Sequence, residues 1–380
     1  MSEFIYRPWY FARPALAAKY LDLLLDGPGD PLALFAPRRV GKTSFLLNEL
    51  GLAAKARGFL PIYIDVWQNR SDALSAINYA LQESLDDLKV PASTAARRLK
   101  TVVKRIGIGG ASLDLGEEPA RRRPEEPALL LDWLVKSVVR AARQPALLMF
   151  DEIQELALLR DGETIVAALR SAITKSRNSV RVIFTGSSQE QLLELFSRSR
   201  AALYEGASLL QFPLLDRHFI AFIAARVKQR YRKTVALTEL AAAFERLNFQ
   251  PRALLDLIFV YCTTDDAKLG ALLDAQWEAL LDGSDFDRLW KTLKPLQQKI
   301  CLRIAHGLEI SSQEARLEYA REPGREGLPL SPGTISSTIR QLQNAHVIVR
   351  ALSGRGTYLL EDPLLAEWLR RRPRSARGLT

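Results

Sequence analysis

Two cysteines, two methionines and three histidines are all that 380 residues contain of those types. Cys262 and Cys301 stand far apart with no histidine cluster near either, so neither a disulfide framework nor a zinc site has support. His218, His306 and His346 are scattered as well. No run of about 18 apolar residues is available to span a bilayer. The N-terminus lacks the basic, apolar and small-residue succession of a secretory signal. A membrane partner is therefore not expected, and a reducing cytoplasm is the expected location. No self-similarity occurs at the periods that mark solenoids.

What is present is an ordinary globular composition, 48% hydrophobic and 25% charged, at a length that suits two or three packed units. The formal net charge of +10 is unevenly placed. From Leu289 to Thr380, 15 Lys and Arg oppose 8 Asp and Glu, a local charge of +7. A cationic segment of this kind favours a polyanion, because each neutralised phosphate releases condensed counterions. A solubilising surface would carry the same charge.

Apolar runs with strand character recur at "LALFA" (32–36), "PIYIDV" (61–66), "ALLMF" (146–150), "VRVIFT" (180–185) and "LLQFPL" (209–214), with helical patterns between them. Near-continuous apolar strands alternating with helices predict an α/β core with a parallel sheet covered on both faces, spanning 1–215. From Asp216 to Asp287 the strand signal vanishes and Ala/Leu-rich helical periodicity takes over, predicting an all-helical domain over 216–287. Residues 288–372 read helix, helix, helix and strand pair, the order of a winged helix, and 373–380 form a basic tail. Between Lys100 and Pro127 a Gly-, Pro- and charge-rich stretch predicts a surface excursion with a short hairpin at "IGIGGASLDL". Its glycines lack the strand-to-helix context of a dinucleotide site.

The segment "APRRVGKTS" (36–44) fits the phosphate loop GxxxxGK[ST] except that Ala36 replaces the first glycine. It follows a predicted strand and opens the amphipathic helix "TSFLLNEL". In such a loop, formed here by Pro37, Arg38, Arg39, Val40 and Gly41, backbone amides point at an anion. Lys42 reaches the β and γ phosphates, the Thr43 hydroxyl ligates magnesium, and Ser44 continues the helix N-terminus. ATP and Mg2+ are the implied ligands. "ALLMFDEIQEL" supplies the second half: Asp151 holds the metal and Glu152 orients or deprotonates an attacking water. One strand, "PIYIDV", intervenes, which together with the Glu after Asp indicates phosphate-loop proteins with a catalytic glutamate. The next strand ends "FTGSS", placing Thr185, Ser187 and Ser188 where a hydroxyl can sense the γ-phosphate or the water, or serve as a plain turn former.

In the last region, Ser331 caps a predicted helix whose first turn holds Pro332. Ile335, Ile339 and Leu342 form its buried stripe, while Thr334, Ser337, Thr338, Arg340 and Gln341 are polar. A recognition helix needs this division. Arg350 and Arg355, in or beside the wing, are candidate phosphate or minor-groove contacts. Winged helices also dock proteins, so a protein partner is the alternative to DNA.

The pieces "FAR" (11–13), "APRRVGKTS", "FDEIQ", "FTGSS", "FPL" (212–214) and "TYLLEDPLLAEWLRR" (357–371) resemble, in order and spacing, the archaeal-type ATPase family related to STAND NTPases and AAA+ proteins. That resemblance implies a five-stranded parallel sheet in order 5-1-4-3-2, a helical lid and a winged helix. It also implies that Pro251 and Arg252 of the lid face the nucleotide, with Arg252 as a second sensor, and that Phe11 to Arg13 lie near the adenine. The chain departs from the family at Ala36 and at "LYEGA" (203–207), where relatives often read "LYGR" with an arginine associated with trans activation. Arg198 and Arg200 are candidate substitutes. Slow or partner-stimulated turnover is the expectation. The resulting reading is an ATP-hydrolysing switch coupled to DNA or a protein partner, with nucleotide-dependent homo-oligomers possible in principle. Its rivals are an oligomeric DNA-loaded ATPase of transposition or replication type and a signalling scaffold that binds no DNA.

Overall fold

The computed structural model describes residues 8–26, 30–69, 71–89, 123–187, 192, 195, 207–265, 268–282, 286–321, 328–350 and 357–371. They divide into two compact units: Ala12–Phe35 with Lys42–Phe212, and Met1–Phe11 with Ala36–Gly41 and Pro213–Thr380. The expected hairpin at 106–115, Ser188, Arg198, Arg200, residues 203–206, Arg355 and the tail 373–380 lie outside the described residues.

The first unit holds a five-stranded sheet of β1 (Leu32–Phe35), β2 (Leu60–Asp65), β3 (Ala146–Asp151), β4 (Val180–Gly186) and β5 (Ser208–Gln211). Its order is β2-β3-β4-β1-β5, the expected 5-1-4-3-2 read from the other edge. Every pairing is parallel. Burial follows position: all six residues of the interior β3 are buried, whereas the edge strand β5 buries none fully. Interior strands of a sheet covered on both faces must be apolar throughout, which is why "ALLMF" shows no alternation.

Helices flank the sheet. In α1 (Pro14–Asp26), Ala17, Tyr20, Leu21 and Leu24 recur at helical spacing and are the buried face. The helix after β1 is not uniform: α2 (Lys42–Phe45) passes through a π-helical turn, Leu46–Leu50, into α3 (Gly51–Ala56). Leu46, Glu49 and Leu50 are buried in that turn, where the sequence predicted an ordinary amphipathic helix. The buried Glu49 carboxylate accepts the Arg13 backbone N–H, and its other oxygen lies 3.9 Å from Arg13 Nε. The Arg13 guanidinium lies 4.6 Å from the Phe212 ring centroid and 5.2 Å from that of Phe45. A buried acid thus has a cation and a donor, as burial requires. Two further helices, α4 (Ala73–Lys89) and α5 (Pro127–Ala142), pack together, joined by a hydrogen bond from Asn78 Nδ2 to the Pro127 carbonyl at 3.0 Å. Glu126 caps α5 by accepting the Leu129 N–H, with Pro127 at the first helical position. The last flanking helix is α6 (Gly162–Lys175).

In the second unit, α7 (Arg217–Tyr231), α8 (Leu237–Arg246), α9 (Pro251–Thr263) and α10 (Leu269–Asp282) enclose a core around Phe219, Ile223, Val227, Phe244, Leu254 and Leu257. There follow α11 (Phe286–Thr292), α12 (Pro295–Ala305), α13 (Gln313–Ala320) and α14 (Pro332–Asn344). The antiparallel pair β6 (Ile348–Arg350) and β7 (Tyr358–Leu360) and then α15 (Pro363–Arg371) close the described chain. The succession α12, α13, α14, hairpin is the element order expected of a winged helix. Trp368 of α15 packs on Trp290 and Phe286, centroids 6.0 Å apart in each case, which accounts for the closing tryptophan.

Candidate nucleotide site

The loop Ala36–Gly41 leads from β1 into α2. Gly41 has φ +97, a conformation that side chains rarely adopt, and a Cβ built there would meet nothing within 4 Å. Backbone conformation, not crowding, therefore selects glycine at this position. Arg39 is exposed and also left-handed, with φ 64. Ala36 and Val40 are buried, and Pro37 is half-buried. The Arg38 guanidinium is engaged within its own unit, by Glu361 and His346. Lys42, the first residue of α2, is buried, while Thr43 and Ser44 are exposed.

Asp151, at the carboxyl end of β3, is buried and surrounded by donors. Its Oδ2 accepts the Thr43 hydroxyl at 2.5 Å and the Tyr63 hydroxyl at 3.0 Å. Its Oδ1 accepts the Thr185 hydroxyl and, at 3.1 Å, the Glu152 N–H. Four donors on one carboxylate offset its desolvation and fix both oxygens in space. The sheet brings these groups together: β3 is flanked by β2, which carries Tyr63, and by β4, which carries Thr185. Register sets Asp65 directly beside Asp151. Burial, then the charges of Asp151 and Asp65, push the Tyr63 phenol well above its ordinary range, so it stays a donor. Burial likewise raises Asp65, partly offset by the Trp67 N–H it accepts at 2.9 Å, with Asp151 and Glu152 adding to the rise.

Glu152 adopts φ 55, ψ 39, outside the regions open to most side chains without cost. Its Oε2 accepts Gln154 Nε2 at 2.5 Å and the Ser187 hydroxyl at 2.9 Å. Gln154 is fully buried and also meets Ser187 twice: Nε2 to Oγ at 3.0 Å, and Oε1 from the Ser187 N–H at 3.3 Å. A Cβ on Gly186 would lie 2.6 Å from Gln154 Oε1, so the glycine makes room for this amide. Tyr63, Asp65 and Gln154 are site residues that motif reading did not single out. Their signals were positional: Tyr63 and Asp65 share one face of β2, and Gln154 follows the DE pair.

The chemistry of this set suits a hard cation held partly by phosphate. Thr43 and Asp151 present oxygens beside each other, and magnesium typically retains waters and phosphate ligands in addition to one or two protein oxygens. Among the described residues no group of three or more His, Cys, Asp or Glu could form an all-protein cage.

No family model matches the chain. A stretch of 160 residues is 31% identical to the molybdenum import ATP-binding protein ModC of Pseudomonas syringae pv. tomato, covering 38% of this chain and 43% of that protein. This chain thus matches less than half the length of that curated relative. Among solved structures, a Walker-type ATPase of Pyrococcus abyssi superposes with a TM-score of 0.60 at 20% identity, covering 95% of this chain and 96% of that one. This chain has the fold of the Walker-type ATPases. The ORC2 protein of Aeropyrum pernix, solved in ADPNP–ADP complexes, superposes with a TM-score of 0.56 at 16% identity over 94% and 91% of the two chains.

Within this Walker-type fold, the remaining predicted residues fall in several places. Arg13 is held by Glu49 in the first unit. In the second, Pro251 opens α9 and Arg252, its side chain 80% exposed, pairs with Asp256 one turn on at 2.9 Å. Ser331 caps α14, accepting the Thr334 N–H at 3.1 Å, and Ile335, Ile339 and Leu342 are buried as expected. Thr334, Ser337, Arg340 and Gln341 are exposed, Gln341 accepting from Gln297 at 3.3 Å. Arg350 is half-buried in β6. Thr338 corrects the sequence reading: it is buried and its hydroxyl donates to the Thr334 carbonyl at 2.9 Å. Its spacing to Ile335 and Leu342 puts it on the inner stripe, where a hydroxyl back-bonds to its own helix.

Proposed function

We propose that this chain binds and hydrolyses ATP with magnesium, as a member of the archaeal-type ATPases, and acts as a nucleotide-dependent switch. The observation that carries the reading is the buried network at the ends of β3 and β4. Asp151 is fixed by Thr43, Tyr63 and Thr185, and Glu152 is fixed by Gln154 and Ser187. Lys42 and the loop amides hold the phosphates. Thr43 and Asp151 would hold magnesium, which when bound would neutralise charge on the phosphoryl group. Glu152 accepts a proton from the attacking water, and Ser187 and Thr185 hold the carboxylates in position. Core, helical lid and winged helix divide near residues 215 and 287, with Arg252 of the lid as the nucleotide sensor.

The partner in this reading is DNA, supported by the local charge of +7 and the exposed polar face of α14. Lys42→Ala abolishes ATP binding, whereas Glu152→Gln retains binding and stops turnover; normal hydrolysis by the Glu152 variant disproves its role. A salt titration of duplex binding, with and without ATP, tests the partner. Absence of binding at low salt would leave a protein-docking scaffold, and nucleotide-dependent rings or filaments on DNA would favour the oligomeric reading.

A further inference from the structure

One contact of the phosphate loop is unused by that chemistry. Arg38 Nε lies 2.8 Å from Glu361 Oε1, and the two side chains are 20% and 17% exposed. Arg38 Nη2 lies 3.3 Å from His346 Nδ1, and because arginine only donates, His346 accepts there. Glu361 Oε2 is 3.5 Å from the same nitrogen. All three residues belong to the second compact unit.

The β6–β7 hairpin builds this arrangement. Beyond the Ile348–Leu360 pair, the Glu361 N–H donates to the Val347 carbonyl at 3.0 Å. That bond sets residue 361 opposite Val347 and so next to His346, whose backbone is left-handed at φ 54. Glu361 also opens the "EDP" turn into α15, with Asp362 Oδ1 accepting the Leu364 N–H at 2.9 Å. The backbone of residue 361 is thus held in place, and its carboxylate reaches an arginine of a loop suited to anions.

We propose that Glu361 is an internal competitor for the phosphate loop: its carboxylate occupies Arg38, and a nucleotide polyphosphate must take that arginine from it. The proposal rests on the ATP-binding reading and adds the regulation of that site. A shielded carboxylate beside the loop repels incoming phosphate, and its pairing neutralises the cation that phosphate would use. The coupling is reciprocal, so nucleotide that weakens the Arg38–Glu361 pair also loosens the loop's hold on the hairpin and α15. The binding signal then passes to the hairpin and α15 through the Arg38–Glu361 pair.

The test is a double-mutant cycle read by calorimetric binding of Mg-ATP and Mg-ADP to the full chain. Glu361→Gln, of nearly the same shape, tightens nucleotide by about fivefold or more, the low end of ordinary site coupling. Arg38→Gln weakens it, and in that background Glu361→Gln has no further effect. Hydrogen exchange across residues 357–371 rises on ATP addition in the unaltered chain and stays constant in Arg38→Gln. If Glu361→Gln does not fold, judged by circular dichroism and melting, Glu361→Asp carries the same test with a smaller gain. Unchanged or weaker affinity on altering Glu361, or an equal gain without Arg38, overturns the competitor while leaving ATP binding intact. No nucleotide binding by the unaltered chain overturns both.

Discussion

Replacing Gln154 by leucine isolates the support of Glu152. Leucine approximates the volume of glutamine but removes two contacts to Ser187 and the 2.5 Å donation to Glu152 Oε2. Hydrogen bonds to charged groups contribute about 1.5–3 kcal/mol, and a buried donor left unpaired, here the Ser187 N–H, costs about 1–3 kcal/mol. With partial relaxation, the expected destabilisation is about 2–4 kcal/mol, measurable by urea unfolding monitored by tryptophan fluorescence. Glu152 retains the Ser187 hydroxyl but loses one of the two donors that aim it, and its left-handed backbone loses a restraint. Misplacing a reacting group by about 1 Å can cost about 100-fold in rate. A fall in kcat of about that size is expected, with nucleotide affinity little changed because the polar partners of Gln154 are Glu152, Glu155 and Ser187. Gln154→Glu is a poorer replacement, since it sets a second carboxylate against Glu152. Wild-type kcat in a folded Gln154→Leu protein would refute the positioning argument, and a loss confined to nucleotide affinity would assign Gln154 to binding instead.

Two other outcomes follow from packing and burial. Thr338→Val should leave duplex affinity unchanged because its hydroxyl is spent on the Thr334 carbonyl, whereas Arg340→Ala should weaken binding and flatten its salt dependence; equal losses in fluorescence anisotropy would contradict the inward assignment. Burial pushes the Tyr20 phenol up to about 12 from 10.0, against the opposing charge of Arg13. A raised folded value means that the stabilisation from this group is complete below pH 10 and is lost as pH climbs from 10 towards 12, so Tyr20→Phe should flatten the alkaline limb of a melting-temperature profile.

Much of the fold was legible because its signals are local. Five apolar runs became five parallel strands with boundaries within a residue or two at most places, since strands buried on both faces cannot alternate. Gly41 was legible for a similar reason, as its left-handed backbone is a single-residue constraint. The π turn at Leu46–Leu50 was not, because nothing in "LLNEL" distinguishes it from ordinary helix; its buried Glu49 is explained by Arg13, 36 residues away in sequence. Thr338 misled because polarity was read as exposure, although its spacing to Ile335 and Leu342 already placed it on the apolar stripe.

The sequence by itself determined the phosphate loop, the acidic pair at the end of a strand, the order of the sheet through its family resemblance, and the concentration of positive charge near the end of the chain. Those features are written in contiguous residues or in composition. Only the tertiary structure decided which groups hold the two carboxylates, because Tyr63 and Thr185 reach Asp151 from neighbouring strands and Ser187 reaches Glu152 from just past the end of β4. It alone also joined Arg38 to Glu361, residues more than three hundred positions apart whose pairing depends on hairpin register. A contact of that kind leaves no local pattern, since either residue satisfies its own surroundings as an ordinary surface charge until the chain folds.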